Sequence, residues 1–156
     1  MANQPPSYYP DLGALGEDLV AQWLESCGWM LLHRRWRSRG GEIDVIAEFL
    51  RSDGEGESTL AFVEVKTRSA GNWDSGGRDA IALPKQQRIC RTAQEFLAKY
   101  PQKADYTCRF DVAIVYSERI TKNRTVDSVG ANLAAISILG YHLTLQEYIP
   151  AAFDCL

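Results

Sequence analysis

Long apolar runs are missing from this chain. No stretch of its 156 residues approaches the ~20 consecutive apolar residues of a helical membrane span, so a spanning helix is not expected. The opening Met1-Ala2-Asn3-Gln4-Pro5-Pro6 has neither the basic end nor the apolar stretch of a secretion signal, and a cytoplasmic location is the default expectation. Histidine is scarce. His33 and His142 have no neighbour at metal-ligand spacing, and each is read as structural. The four cysteines, Cys27, Cys90, Cys108 and Cys155, are scattered without a C-x-x-C pair, which in a cytosolic chain predicts reduced, mostly buried thiols rather than disulfides or zinc ligands. An excess of positive charge is also lacking: 17 Lys and Arg against 20 Asp and Glu leave a net charge of −3. That balance argues against a protein that coats nucleic acid through bulk charge.

What is present reads as an ordinary globular domain, 46% apolar and 24% charged, long enough to bury a proper core. The expected organisation is a loose, proline-rich segment over residues 1–10 and a single domain over 11–156. The charge is segregated. Arg34, Arg35, Arg37 and Arg39 follow one another without an intervening acid, and Lys66, Arg68, Arg78, Lys85, Arg88 and Arg91 dominate residues 64–91. Residues 42–58, in contrast, hold six acids and only Arg51. A basic rim around an acidic centre suits a metal-dependent site for a phosphodiester, with Arg and Lys on phosphate and carboxylates on the metal. Arginines along one solvated edge are its ordinary alternative.

Periodicity gives an α/β order. Leu12, Leu15, Gly16, Leu19, Val20, Trp23 and Leu24 recur at helical spacing, with Asp11 at the start and Gly28 as the stop. Residues 29–36 read as a strand running into the basic turn 37–41. Strands over 43–50 and 59–67, joined by a polar glycine-containing loop over 51–58, should pair as an antiparallel hairpin. Residues 69–77 read as a flexible connection beside the site. Pro84 opens a second helix with Ile89, Ala93, Phe96, Leu97 and Tyr100 on one face, ending near Pro101. A fourth strand covers 108–116, with a polar connection over 117–125. Residues 126–141 fit either a short helix or a strand, and a last strand over 141–148 precedes a tail from Ile149.

The chemistry is concentrated in two segments, Gly41-Glu42-Ile43-Asp44-Val45-Ile46-Ala47 and Phe62-Val63-Glu64-Val65-Lys66-Thr67-Arg68. Asp44, Glu64 and Lys66 interrupt β-branched, apolar runs where a strand would normally carry only core residues. Alternation puts Glu64 and Lys66 on one face, roughly 6 to 7 Å apart at about 3.3 Å per residue. Charges withdrawn from water cost stability unless they are paired or bind a metal, so such a cluster marks a site or a structural salt bridge. Glu42 sits at the strand's beginning after two glycines, where it would orient the turn or bind a basic neighbour. Arg109 and Asp111 share a face of the fourth strand and read as a structural pair.

The order Gly16-Glu17, Gly41-Glu42-Ile43-Asp44, Phe62 to Arg68, Lys85 with Arg88, Arg109-Phe110-Asp111-Val112 and Tyr148-Ile149-Pro150-Ala151-Ala152-Phe153 resembles the bacterial YraN-like family of uncharacterised proteins. The resemblance spans about residues 11–153, interrupted mainly between 117 and 140. It implies a restriction-endonuclease-like α/β fold, akin to archaeal Holliday junction resolvases: a mixed central β-sheet flanked by helices, in the order α-β-β-β-α-β-β. The implied constellation of the PD-(D/E)xK superfamily falls on Asp44, on Glu64 and Lys66, and on Glu17 as the helix-borne acid. Ile43 replaces the superfamily's proline, and Glu64 stands for the commoner Asp; neither change removes a required charge.

The activity implied is metal-dependent hydrolysis of phosphodiester bonds, with Mg²⁺, or Mn²⁺ in its place. Asp44, Glu64, the Val65 carbonyl and Glu17 are the candidate metal ligands, and Lys66 is the candidate for orienting or deprotonating the attacking water. Arg34, Arg35, Arg37, Arg39, Arg68, Lys85 and Arg88 are the candidate phosphate contacts. Nucleic acid is the expected partner, with DNA ahead of RNA and branched or structured DNA one candidate substrate beside flaps and single strands; both a monomer and a homodimer are compatible with it. Two other classes compete: a nucleic-acid-binding module without turnover, and an accessory protein that docks a protein partner. The intact acidic set favours the enzyme, because binding alone needs no buried acids facing a phosphate. Two of these expectations are geometric and one electrostatic: Glu17, Asp44, Glu64 and Lys66 converge on one pocket, the Asp44 and Glu64 carboxylates lie within roughly 8 Å so that one ion can bridge them, and without metal at least one of those acids has a raised pKa.

Overall fold

A computed structural model describes residues 10–51, 56–69, 81–121 and 132–155. In chain order they form α1 (Leu12–Ser26), β1 (Met30–Ser38), β2 (Gly41–Phe49), β3 (Thr59–Ser69), α2 (Leu83–Lys99), β4 (Thr107–Arg119), β5 (Ala134–Ile138) and β6 (Tyr141–Phe153). The Asp11 side chain caps α1 by accepting the Ala14 N–H at 3.0 Å. Gly28 follows the helix at a φ of 93°, a left-handed conformation that glycine adopts without a Cβ clash. The ambiguous stretch of sequence contributes β5. Residues 1–9, residues 52–55 of the 51–58 loop, the connection over 70–80, residues 122–131 after β4 and residue 156 lie outside the described residues.

The six strands form one mixed sheet in the order β1-β2-β3-β4-β6-β5. Only β3 and β4 run parallel; the other neighbours are antiparallel. A parallel pair needs a crossover, and the chain segment between these two strands contains α2. The two faces of the sheet bury separate clusters. On one, Leu19, Val20 and Leu24 of α1 pack with Val45, Ala47, Val63, Ala113 and Leu143. On the other, Ile89, Ala93 and Phe96 of α2 pack with Ile46, Phe62, Phe110 and Val112. Strands covered on both faces read as unbroken apolar runs, as Phe110 to Val115 does apart from the buried Asp111.

Two expectations require correction. The last strand does not stop at Tyr148: β6 runs through Pro150 to Phe153. Beyond Leu145 it has no β5 partner and, among the described residues, is an edge strand on that side, where proline is tolerated. Ala151 takes a φ of 50° there and donates its N–H to Asp111 Oδ1 at 2.9 Å. The second correction concerns the thiols. Cys90 and Cys155 form a disulfide, and Cys27 and Cys108 are exposed. The cause is the same extension of β6: Phe153 stacks on Phe110 beneath α2, with ring centroids 5.3 Å apart, which carries Cys155 to the α2 cysteine.

Several minor readings hold. His33 packs on Phe96 and Tyr100, and His142 Nδ1 lies 2.8 Å from Ser137 Oγ. Arg109 and Asp111 are a bidentate pair, and the fully buried Asp111 also accepts the Tyr148 hydroxyl at 2.5 Å. Burial and that adjacent carboxylate push the Tyr148 phenol upward from its ordinary value. The cluster fastens β6 to β4.

Candidate active site

The site begins with a fork in the sheet. β2 and β3 pair from Phe49↔Thr59 to Val45↔Val63; past that point β2 pairs with β1, while Glu64 to Ser69 pair with β4. The alternation of β2 slips at the same place, since Ile43 joins the α2-side core and Val45 the α1-side core. Asp44 stands at the slip. Continuing the ladder would set Ile43 opposite Val65; instead the Val65 N–H donates to Asp44 Oδ2 at 2.8 Å. The N–H and C=O of one strand residue leave from the same edge, so the Val65 carbonyl also opens toward the fork.

Asp44, Glu64 and Lys66 line one cleft of about 440 Å³, together with Glu17, Thr67 and Lys85. Asp44 and Glu64 also line an adjoining hollow with Glu42, Lys85 and Arg88. Asp44 and Glu64 thus border the same two spaces. Burial is the main cause that pushes Asp44 up to about 7, and the negative charge of Glu64 is the next. The Val65 N–H opposes the rise, and Glu17 adds to it. The expected convergence on one cleft and the raised pKa of one acid are therefore present.

Helix α1 brings Glu17 in through one close approach. A Cβ at Gly16 would lie 2.2 Å from Thr67 Oγ1, so only glycine lets the helix sit this near β3. Thr67 Oγ1 is buried and, among the described residues, has no hydrogen-bond partner. Glu17 is only 8% exposed and is held by two guanidinium groups: Arg35 Nε at 2.7 Å and Arg34 Nη2 at 3.4 Å. Consecutive strand residues normally point to opposite faces. Arg35 has a φ of 51°, and this turn of the backbone lets both arginines reach one carboxylate, at a typical strain of about 1–3 kcal/mol.

The basic rim divides into engaged and unengaged members. Arg34 also pairs with Asp18 at 2.7 Å, and Arg35 with Asp11 at 3.6 Å. Arg37 binds Glu42 at 2.5 Å, the basic-neighbour role expected of that acid. Lys85 pairs with Glu64. Among the described residues no carboxylate pairs with Arg39, Lys66, Arg68 or Arg88. The sequence reading assigned Lys85 to phosphate and missed its bond to Glu64; its only signal was Lys85's position in the first turn of α2, which begins at Leu83.

Among the described residues no three His, Cys, Asp or Glu side chains are grouped to ligate a single ion. The donor set at the fork is two carboxylates and a backbone carbonyl. That set fits Mg²⁺, which takes oxygen ligands and keeps several waters; it does not fit a fully protein-ligated zinc site. The mutual repulsion of Asp44 and Glu64 is the electrostatic condition that a divalent cation relieves.

A mixed α/β sheet forked over a carboxylate pair, with a lysine two residues along the same strand, defines the class: an α/β protein with a built, acidic, partly buried cleft. Residues 16–115 match the model of the uncharacterised protein family UPF0102, and the chain belongs to that family, the YraN-like one its motifs resemble. It is 58% identical over 147 residues to a UPF0102 protein of Trichormus variabilis, covering 94% of this chain and 96% of the relative. A UPF0102 protein of Synechocystis is 46% identical over 151 residues, covering 92% and 97%. One from Thermosynechococcus vestitus is 43% identical over 108 residues, covering 69% and 82%. Among the described residues no helix is long and apolar enough to cross a membrane.

Proposed function

We propose that the protein is a metal-dependent nuclease with a restriction-endonuclease-like core, hydrolysing phosphodiester bonds in nucleic acid, with structured or branched DNA as the substrate class. One observation carries the reading. At the fork, Asp44 and Glu64 are drawn together in a partly buried cleft with Lys66 beside them, although burying two adjacent carboxylates costs stability that a purely structural site would not spend.

Asp44, Glu64 and the Val65 carbonyl would hold Mg²⁺ or Mn²⁺; bound there, the ion lowers the pKa of water and stabilises charge developing on a phosphate. Lys66, free of ion pairs among the described residues, is available to orient the attacking water and to balance charge on the phosphoryl oxygens. Glu17, whose carboxylate is already held by Arg34 and Arg35, adds a smaller negative charge beside Asp44 at the α1 side of the cleft. Arg88, which lines the hollow, would hold phosphate without breaking an ion pair among the described residues, as would Arg39 and Arg68 wherever the phosphate backbone reaches them. A cytoplasmic location goes with this reading, since that is where a bacterial cell keeps its nucleic acid.

The lack of a third grouped side-chain ligand among the described residues favours one rival, a binding module on the same fold without turnover. The experiment that separates them offers purified protein a panel of labelled branched, duplex and single-stranded DNA and RNA, with Mg²⁺, Mn²⁺ or EDTA. Metal-dependent cleavage of one substrate class is the expected result. Salt-sensitive binding without cleavage under any metal supports the rival.

A further inference from the structure

The Glu64 side chain is 6% exposed and already has a cation: the ammonium of Lys85, whose side chain is 38% exposed. Lys85 lies in the first turn of α2, and it borders both the cleft and the adjoining hollow. Among the described residues its side chain is tied to the fork through this ion pair. A flexible four-carbon stem can swing an ammonium toward solvent at little cost, whereas the strand fixes Glu64.

We propose that Lys85 is a positioning residue that competes with the divalent cation for Glu64, and that phosphate, by taking up the displaced ammonium, couples nucleic-acid binding to metal binding. The inference rests on the nuclease reading of this site. A carboxylate that accepts an ammonium on one oxygen is a poorer ligand for a second cation, so Lys85 on Glu64 Oε1 weakens the metal and must give way for Glu64 to offer its full charge and both oxygens. The displaced ammonium then lies between the cleft and Arg88, where a phosphate would accept it. By linkage, whatever holds Lys85 away from Glu64 tightens the metal, and the metal tightens whatever holds Lys85. The protein alone therefore binds metal weakly and commits to it only with substrate in place.

The same arrangement explains why one helix carries two cations of different status. Lys85 is paired; Arg88, three residues on, lines the hollow but makes no ion pair among the described residues. Arg88 is the fixed phosphate contact in this scheme, and Lys85 the conditional one.

Calorimetric titration of Mn²⁺ into the full chain tests this with wild type, Lys85→Gln, Lys85→Arg and Arg88→Gln, each first checked for folding by thermal melting. Lys85→Gln should bind Mn²⁺ at least about fivefold more tightly than wild type, the low end of ordinary coupling between linked sites. Lys85→Arg, which keeps the competing cation, and Arg88→Gln, which removes a neighbouring charge of the same sign, should stay within about twofold of wild type on that scale. In a Lys66→Ala background, a short DNA duplex should tighten Mn²⁺ more when Lys85 is present than when it is Gln. Equal Mn²⁺ affinity in wild type and Lys85→Gln overturns the competition and leaves the metal site standing, and equal tightening by DNA overturns the coupling. If wild type binds no Mn²⁺ with or without nucleic acid, the nuclease reading fails and this inference falls with it.

Discussion

Asp44 makes the metal-free protein less stable as pH rises, and Asp44→Asn should reverse that. Its carboxyl is raised from 3.8 to about 7, chiefly by burial and then by the charge of Glu64. A raised folded-state pKa means that the folded protein holds the proton more tightly than the unfolded chain. The stability this contributes is fully present below the unfolded value and is lost as pH rises through the folded one. At about 1.36 kcal/mol per pH unit, a shift of about three units corresponds to about 4 kcal/mol; solvent screening of a partly exposed group reduces this to about 2–3 kcal/mol. Asn keeps the Val65 hydrogen bond through its amide oxygen and loses the charge. In EDTA, denaturant titrations from about pH 4 to about pH 8.5 should show the two proteins nearly equal at the acid end. Asp44→Asn should become the more stable by that amount above pH 7 or so. A difference that does not vary with pH would refute the claim that the Asp44 carboxylate is buried against Glu64.

Gly16→Ala should destabilise the protein by about 1–3 kcal/mol through overpacking, because its Cβ would lie 2.2 Å from Thr67 Oγ1; chemical denaturation should show the loss relieved in the double variant with Thr67→Ala, and an unrelieved loss would place its cause elsewhere. Reducing the Cys90–Cys155 bridge, which spans 65 positions, should cost up to about 4 kcal/mol on the loop-entropy estimate, seen as a lower melting temperature in thiol reductant; four titratable thiols in the untreated protein would contradict the bridge. Binding to a DNA duplex should weaken with salt, and Arg88→Ala should reduce the slope of log affinity against log salt by about one. Arg34→Ala, whose guanidinium is committed to Asp18 and Glu17, should leave that slope unchanged, so an equal effect of the two would show that the internal pairs open for phosphate.

The helices and most strands were legible because their signals are local: Asp11 as a cap, Gly28 as a stop, and an α2 face of Ile89, Ala93 and Phe96 at helical spacing. The acids of the site were legible for the opposite reason, as charges inside runs that local preference would have kept apolar. What sequence hid depends on partners distant in the chain. The end of β6 looks like a tail until its edge position shows why Pro150 can stay in a strand, and Cys90 meets Cys155 only because that end packs beneath α2. The basic rim was visible as composition, but its division into paired and unpaired arginines depends on the left-handed turn at Arg35 and on a helix one layer away. Strand alternation also placed Glu64 and Lys66 together without revealing that β2 and β3 part company at Val45 and Val63, the event that brings Asp44 into reach.

The most direct test of the nuclease account measures metal binding and single-turnover cleavage side by side, on the best substrate of the panel, for wild type, Lys66→Ala and Asp44→Ala. Lys66→Ala should keep metal affinity near that of wild type and lose cleavage by at least about 100-fold, the scale of a positioned acid–base group. Asp44→Ala should lose both. Cleavage by Lys66→Ala at the wild-type rate, or a wild-type protein that neither binds metal nor cuts any substrate, would contradict the account.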